Sequence, residues 1–268
     1  MNGIVAARFD YLTRIWALRY FWFSLVLNDV KSRYKRSFLG IGWSLIRPLA
    51  MTILFCIVFG QLFNLEVAEY APHLLIGMTI WQFFTESLNL GCQSLTGGST
   101  YLRQQVVPLA IFPLRTVLGS TFHLLIALAL AIGVTLLFRR TFDPLILLHL
   151  IPALLLLFLL GWSLAILAGI MQTHFPDTQH ILEIGLQFLF YLTPIVYKPE
   201  SLASRTNLAW LVDLNPMTSL LALFRTPIME GTPPSLQHVG ISVAVLVVVG
   251  ASAILALRKL ERNLIFWL

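Results

Sequence analysis

Charged residues are scarce in this chain. Of its 268 residues only 11% are Asp, Glu, Lys or Arg, whereas 58% are hydrophobic, and the mean hydropathy is +0.83. Ordinary soluble domains carry about 25% charged residues, so the composition indicates an integral membrane protein. Apolar runs occupy nearly the whole length, and we therefore expect no separate soluble domain.

Cysteine and the common catalytic motifs are also lacking. The two cysteines, Cys56 and Cys92, lie in different apolar runs, which excludes a disulfide framework and a CxxC metal site. HExxH and GxSxG do not occur and the histidines are scattered, so nothing favours a metal-dependent or hydrolytic enzyme. None of the four lysines lies in a GxxxxGKS/T motif, and ATP-driven work would require a partner chain.

Six apolar stretches reach or approach the roughly 20 residues that a membrane-spanning helix needs. They cover 45–65, 73–95, 112–138, 145–171, 181–197 and 239–257. The sequence therefore predicts an all-α integral membrane protein with six transmembrane helices. Thirteen of the eighteen Lys and Arg residues then fall on the side of the N-terminus, and the positive-inside bias places both termini in the cytoplasm.

Residues 11–31 predict one more helix before the first span. Its apolar run is too short to cross a bilayer, and small or polar side chains recur at steps of three or four. This pattern favours an amphipathic helix in the membrane interface, with a buried tilted helix as the alternative because Arg19 falls off the polar stripe. We divide the chain into a cytoplasmic N-terminus with its interfacial helix, 1–37, and a six-helix transmembrane domain, 38–268.

The connection between the fifth and sixth spans, 198–238, is long enough to carry structure of its own. Within it Asn215 and Pro216 open an apolar helix over 217–224 that is too short to cross the membrane. We predict re-entrant external helices there, with their backbone polar groups buried against protein.

The second span carries a polar stripe with spacings of three, four, three and four residues, which places its members on one helix face. These are Thr79, Gln82, Glu86, Asn89 and Gln93. They could line a conduit for a hydroxyl-rich solute, or join helices by hydrogen bonds worth about 1 kcal/mol each. A looser stripe on the fifth span, with Gln187 and Tyr191 beside Glu183 and Pro194, favours the conduit, and Tyr197 adds an aromatic face.

A basic cluster precedes the first span, formed by Lys31, Arg33, Lys35 and Arg36. It could act only as a topological signal, or it could bind a phosphate-bearing substrate, since arginine offers phosphate two donors at once. The cations adjoin apolar segments, which favours membrane lipids over nucleic acid. Residues 39–42 (LGIG) predict a bend between the interfacial helix and the first span.

Four motifs occur in order along the chain: RYKRSFLG at 33–40 with Trp43 and Pro48, FPD at 175–177, YLTPIVY at 191–197 and NPM at 215–217. In motifs, length and topology the whole chain resembles the ABC-2 family of exporter permeases, and most of all the branch that exports O-antigen, capsule and teichoic-acid polysaccharides. That family often has Phe-Arg-Asp at the second motif. Here Pro176 replaces the arginine, which puts in doubt any role for a cation at that position.

The resemblance implies a homodimeric permease in the bacterial cytoplasmic membrane that moves a lipid-linked polysaccharide outward between its protomers. It implies no cofactor in this chain, because two copies of a cytoplasmic P-loop ATPase would bind ATP and Mg²⁺. The implied substrate entrance comprises Arg33, Tyr34, Arg36, Leu39, Gly40 and Trp43. The implied ATPase contacts lie in the N-terminal helix and near 97–113, with Arg14, Arg19, Arg103 and Gln104. Alternatives are an ABC-2 exporter of drugs or small lipids, a secondary carrier, or an intramembrane enzyme.

Overall fold

The computed structural model describes residues 11–35, 37–63, 66–104, 107–138, 144–198 and 214–264. Regular structure within these ranges is helical. After a helical segment over 11–17, here called the leading segment, the helices are α1 (Arg19–Tyr34), α2 (Trp43–Phe63), α3 (Val67–Gly97), α4 (Ser99–Gln104), α5 (Ile111–Phe138), α6 (Leu150–His174), α7 (Thr178–Leu192), α8 (Pro216–Arg225) and α9 (Leu236–Leu264).

Four helical stretches of the described residues are long and apolar enough to cross a membrane: Gly40–Gly60, Ile111–Phe138, Leu145–His174 and Leu236–Leu260. They coincide with the predicted first, third, fourth and sixth spans, and the chain is a multi-pass membrane protein. The predicted second span lies within α3, whose polar stripe lowers its hydropathy. The predicted fifth span corresponds to α7, which has only 15 residues.

Helix α3 forms the centre of the bundle and packs against α2, α5, α6, α7 and α8. It approaches the backbone of α6 closely, since a Cβ added at Gly91 would lie 2.6 Å from the backbone of Ala165. Across the same crossing, a Cβ added at Gly169 would lie 2.9 Å from the carbonyl oxygen of Gly91. Small residues allow the two backbones to touch, as is typical of helix pairs in membranes.

Contacts between helices define two ends of the bundle. At the basic end Arg115 of α5 binds Asp29 of α1 through Nε and Nη2, the second bond being 3.0 Å long. The distal end contains the start of α3, the end of α7 and helix α8; there the Tyr70 hydroxyl donates to the carbonyl of Val196 at 2.7 Å. Polar positions thus mark both ends of a mainly apolar bundle.

The predicted fifth span ends earlier than expected. We predicted a helix over 181–197 with Pro194 on its polar stripe, but α7 ends at Leu192 and Thr193 adopts an extended conformation (φ −90°, ψ 134°). A residue before proline is disfavoured in the α conformation because the proline ring crowds its backbone. Pro194 and Tyr197 therefore belong to an irregular segment, not to the helix.

The helix opened by Asn215 is confirmed. The Asn215 side chain accepts a hydrogen bond from the backbone N–H of Met217 at 2.9 Å, which caps α8, and it donates to Thr193 Oγ1 at 2.9 Å. Helix α8 passes into a π turn over Thr226–Glu230, and the chain reverses at Gly231 with φ +68°. Residues 199–213 of the predicted external segment lie outside the described residues.

The predicted helix over 11–31 is present, with a break at Leu18, between the leading segment and α1. Ile15 and Leu25 are its buried residues. The indole of Trp22 donates to the carbonyl of Ile15 at 3.0 Å, which joins the two segments. The bend expected after α1 is also present, at Gly40 with φ +50°, a conformation that glycine adopts without strain.

Candidate functional site

The polar stripe of α3 becomes more exposed from the distal towards the basic end. Thr79 is buried, Gln82, Glu86 and Asn89 are half-buried, and Gln93 is exposed. Gln82 donates through Nε2 to Glu86 Oε1 at 3.2 Å. The five residues share one face, as the spacing predicted, but their surroundings differ and divide the site into two flanks.

The first flank of α3 is a closed hydrogen-bonded cluster against α2 and α5. His123 Nδ1 lies 2.9 Å from Ser44 Oγ and 3.1 Å from the Tyr34 hydroxyl, which itself lies 2.9 Å from Ser44 Oγ. The remaining space beside Thr79 and Glu86 measures about 10 Å³, room for about one water. On this flank the hydrogen bonds join α1, α2 and α5.

A basic pocket of about 270 Å³ adjoins this cluster at His123, between α1, α3 and α5. Its charged lining residues are Asp29, Arg33 and Arg115. The Arg33 guanidinium lies 3.8 Å from Glu86, while Arg115 is held by Asp29. Each arginine thus already has one carboxylate partner, and an anion entering the pocket would bind an arginine by displacing Asp29 or Glu86.

The second flank of α3 is an open cleft against α7. It measures about 360 Å³ and is lined by Trp81, Thr85, Asn89, Glu183, Leu186, Gln187, Phe190 and Tyr191. Gln187 and Tyr191 are exposed and face this cleft, so the structure brings them beside Asn89. At its basic end Gln93 Nε2 donates to Gln179 Oε1 at 3.1 Å. Polar groups and aromatic faces therefore share one open surface.

Helix α7 is weakly packed against its own chain. Among its residues only Thr178 and Leu186 are buried. Ile181 is 68% exposed and Phe188 is 69% exposed. An apolar helix that buries so little has a surface available for lipid or for another protein chain.

Tyr197 lies beyond the cleft, at the distal end, where its hydroxyl donates to the carbonyl of Leu192 at 3.1 Å. It therefore closes the irregular segment that follows α7. The nearby Lys198 forms an ion pair with Glu69 at 2.9 Å, which fastens this segment to the start of α3.

Sequence reasoning missed Arg225, a buried cation with several hydrogen-bond partners at the distal end. This side chain is 9% exposed and donates to the carbonyls of Pro194 at 2.7 Å, His73 at 3.2 Å and Ile195 at 3.3 Å. One guanidinium thereby joins α8, α3 and the segment after α7. The sequence did contain a signal for this residue, since Arg225 is the single cation of an apolar helix. An arginine buried at that position requires several hydrogen-bond acceptors.

The other predicted entrance residues lie around the bend after α1. Tyr34 belongs to the closed cluster, Gly40 forms the bend, and Leu39 and Trp43 are exposed at 43% and 52%. Arg36 lies outside the described residues. Leu39 and Trp43 thus present an apolar rim near the basic pocket, although neither lines it.

The predicted ATPase-contact residues lie at the basic end. Arg14 is exposed on the leading segment, and Arg19 stacks over the ring of Tyr20 at 4.7 Å from its centroid. Gln104 is exposed at the end of α4, and the Arg103 side chain lies outside the described part of the chain. Among the described residues no group of three or more His, Cys, Asp or Glu side chains could hold a metal ion.

Comparison with known proteins identifies relatives of similar length. The sequence profile of the family described as ABC-2 type transporter matches residues 20–229. The O-antigen export system permease protein RfbA of Klebsiella pneumoniae is 26% identical, over 76% of this chain and 78% of that protein. RfbA of Myxococcus xanthus is 26% identical over 89% and 92% of the two chains. The polysialic acid transport protein KpsM of Escherichia coli is 21% identical over 78% and 81%.

Proposed function

The chain belongs to the ABC-2 type transporter family, and on that premise we propose that it is the permease subunit of an ATP-driven exporter of a lipid-linked polysaccharide. The names of the relatives support this substrate class, since they are O-antigen export permeases and a polysialic acid transport protein. The observation that carries the proposal is the open cleft between α3 and α7, where amide side chains lie beside aromatic rings.

The export machine in this proposal contains two copies of the chain and two copies of a cytoplasmic P-loop ATPase, which binds ATP and Mg²⁺. The chain has no P-loop of its own, so the energy enters through the partner. The ATPase docks at the basic end, against the leading segment, α1 and the region 97–113, with Arg14, Arg19, Arg103 and Gln104 in contact.

The transmembrane domain has six spans in this proposal, with both termini in the cytoplasm of a bacterium and α8 re-entrant at the outer face. Helix α3 is long enough to cross the membrane, because its 31 residues rise about 46 Å. Helix α7, with 15 residues, rises only about 22 Å. It crosses the hydrocarbon region together with the segment 193–198, whose backbone is covered by Arg225 and Tyr70.

The polysaccharide channel forms where two protomers face each other across α2 and α7. Both helices have exposed apolar residues that a second copy would cover, such as Ile57 at 59% and Phe188 at 69%. The channel lining comprises Thr79, Gln82, Glu86, Asn89, Gln93, Gln187, Tyr191 and Tyr197. Weak polar and aromatic contacts suit a long glycan, because one tight site would stop it from advancing.

The substrate enters at the basic end, beside Arg33, Tyr34, Arg36, Leu39, Gly40 and Trp43. The basic pocket supports this assignment, since its arginines could take the phosphate of the lipid carrier in exchange for Asp29 and Glu86. The exposed Leu39 and Trp43 provide an apolar rim for the carrier's hydrocarbon. ATP binding shifts the partner between two states, and the basic-end helices pass that shift to the bundle.

A purification and export assay tests the proposal. The chain should co-purify with a stoichiometric ATP-hydrolysing subunit, and deleting that subunit should abolish surface polysaccharide while the permease remains in the membrane. Normal polysaccharide export without any ATPase subunit would refute the function.

The entrance is tested separately by replacing Arg33 and Arg36 with Gln, which should reduce export and leave membrane insertion intact. Lys35→Gln is the matched control, because Lys35 is exposed and does not line the basic pocket. If the arginine variants fail to insert, the cluster acts as a topological signal instead.

A further inference from the structure

A long apolar groove runs along α9 on the opposite side of α6 from the cleft. Its volume is about 790 Å³, within the roughly 300–1,000 Å³ typical of ligand sites. The leading segment, α6 and α9 form its walls, and Ile15, Trp162, Gly250 and Ile254 are among the lining residues. None of these residues belongs to the polar stripe or the basic pocket.

The polar groups in the groove wall are already bonded to the protein. The Trp162 indole donates to the carbonyl of Ala110 at 3.1 Å, and the Ser163 hydroxyl donates to the carbonyl of Leu159 at 2.8 Å. The Tyr11 hydroxyl accepts from the backbone N–H of Ala110 at 3.4 Å. A ligand inside the groove therefore meets a mainly hydrocarbon-like surface, in which these few polar groups already have partners in the protein.

The ends of the groove differ in charge. The exposed cation Arg258 lies at one end, at the basic end of the bundle, and the α9 wall extends from there to Leu246. The twelve helical steps from Leu246 to Arg258 rise about 18 Å, close to the roughly 15 Å of hydrocarbon in one leaflet of a bilayer. The groove is therefore about as long as an acyl chain in one leaflet. The positive charge at its mouth is complementary to a phosphate headgroup.

We propose that this groove holds one anionic phospholipid of the bilayer leaflet at the basic end, with an acyl chain along α9 and its phosphate at Arg258. The site is separate from the proposed substrate path, because it shares no residue with the cleft or the basic pocket. The lipid fills the space between the leading segment and α9 and so connects the leading segment to the bundle.

Native mass spectrometry of the purified full chain tests the site. After delipidation the protein is titrated with phosphatidylglycerol or with phosphatidylcholine of the same acyl chains. We expect one phosphatidylglycerol per chain to bind about fivefold more tightly than phosphatidylcholine, from about 1 kcal/mol for one cation near a headgroup. Arg258→Gln should remove this preference, whereas the exposed Lys259→Gln, which lies outside the groove, should keep it.

A pair of glycine variants separates acyl binding from charge. Gly250→Leu fills the groove, and a Cβ there meets only Ser163 Oγ at 3.6 Å, so the fold should tolerate it. Gly240→Leu places the same side chain on α9 with no neighbour within 4 Å of its Cβ. Gly250→Leu should lose the retained lipid and Gly240→Leu should not. Equal retention in both, a retained polyprenyl mass, or an altered oligomeric state of Gly250→Leu would each overturn the assignment.

Discussion

The contact between Gly77 and Arg225 leads to a quantitative prediction about the distal end. A Cβ added at Gly77 would lie 2.5 Å from Nη2 of Arg225 and 3.2 Å from Cγ2 of Ile195. Gly77→Ala therefore displaces the guanidinium from the carbonyls that it binds. Arg225→Met removes the guanidinium, so the added methyl group no longer meets Nη2. The effects of the two substitutions on the free energy of unfolding should therefore not be additive.

The expected free energies of unfolding follow from these contacts. Arg225→Met should cost about 3 kcal/mol, because buried carbonyls lose a charged donor. Gly77→Ala should cost about 1 kcal/mol net, as overpacking of about 2 kcal/mol is partly offset by about 1 kcal/mol of helix propensity. In the Arg225→Met background the same Ala should be neutral or slightly stabilising, which gives a coupling of about 1–2 kcal/mol.

Unfolding in mixed micelles titrated with dodecyl sulfate measures the four free energies of this double-mutant cycle. Gly240→Ala in both backgrounds is the matched control, since its Cβ has no neighbour within 4 Å and only the propensity gain remains. Additivity of Gly77→Ala and Arg225→Met within about 0.5 kcal/mol would refute the reasoning.

Three further predictions concern other contacts in the bundle. Gly91→Ala should destabilise the fold by about 1–3 kcal/mol through its clash with the α6 backbone, while Gly60→Ala, which meets nothing within 4 Å, should not; the same titration distinguishes them. Asn215→Ala should cost about 1–2 kcal/mol by removing the cap of α8, and an unchanged unfolding curve would contradict that role. Asp29→Asn should raise pyrophosphate affinity about tenfold by releasing Arg115, measured calorimetrically; unchanged affinity would exclude anion binding in the basic pocket.

The sequence predicted the uniformly apolar helices well. Helices α2, α5, α6 and α9 are long, apolar runs whose length alone indicates a span, and hydropathy needs no knowledge of tertiary structure. The α8 cap was also predictable, because an Asn-Pro pair before an apolar run is a local signal. Helix α7 ends early for an equally local reason, because Pro194 disfavours the α conformation at Thr193. The apolar run continues past this point, and the prediction followed the run instead of the proline.

The surroundings of the polar stripe could not be predicted from its spacing. Periodicity places Thr79 and Asn89 on one face, but which neighbour covers each depends on how α5 and α7 pack beside α3. His123 and Ser44 complete the closed flank from distant parts of the chain. The partners of Arg225 are backbone carbonyls, which every residue has, and so no residue pattern could identify them.

The close crossing at Gly91 has a mechanical consequence. Since the backbones of α3 and α6 touch, neither helix can slide or rotate against the other without separating the interface, and the pair acts as a rigid frame. Helix α7, with two buried residues, has little to hold it to that frame. Separating α7 from the bundle would therefore expose far less buried surface than separating α6 from α3.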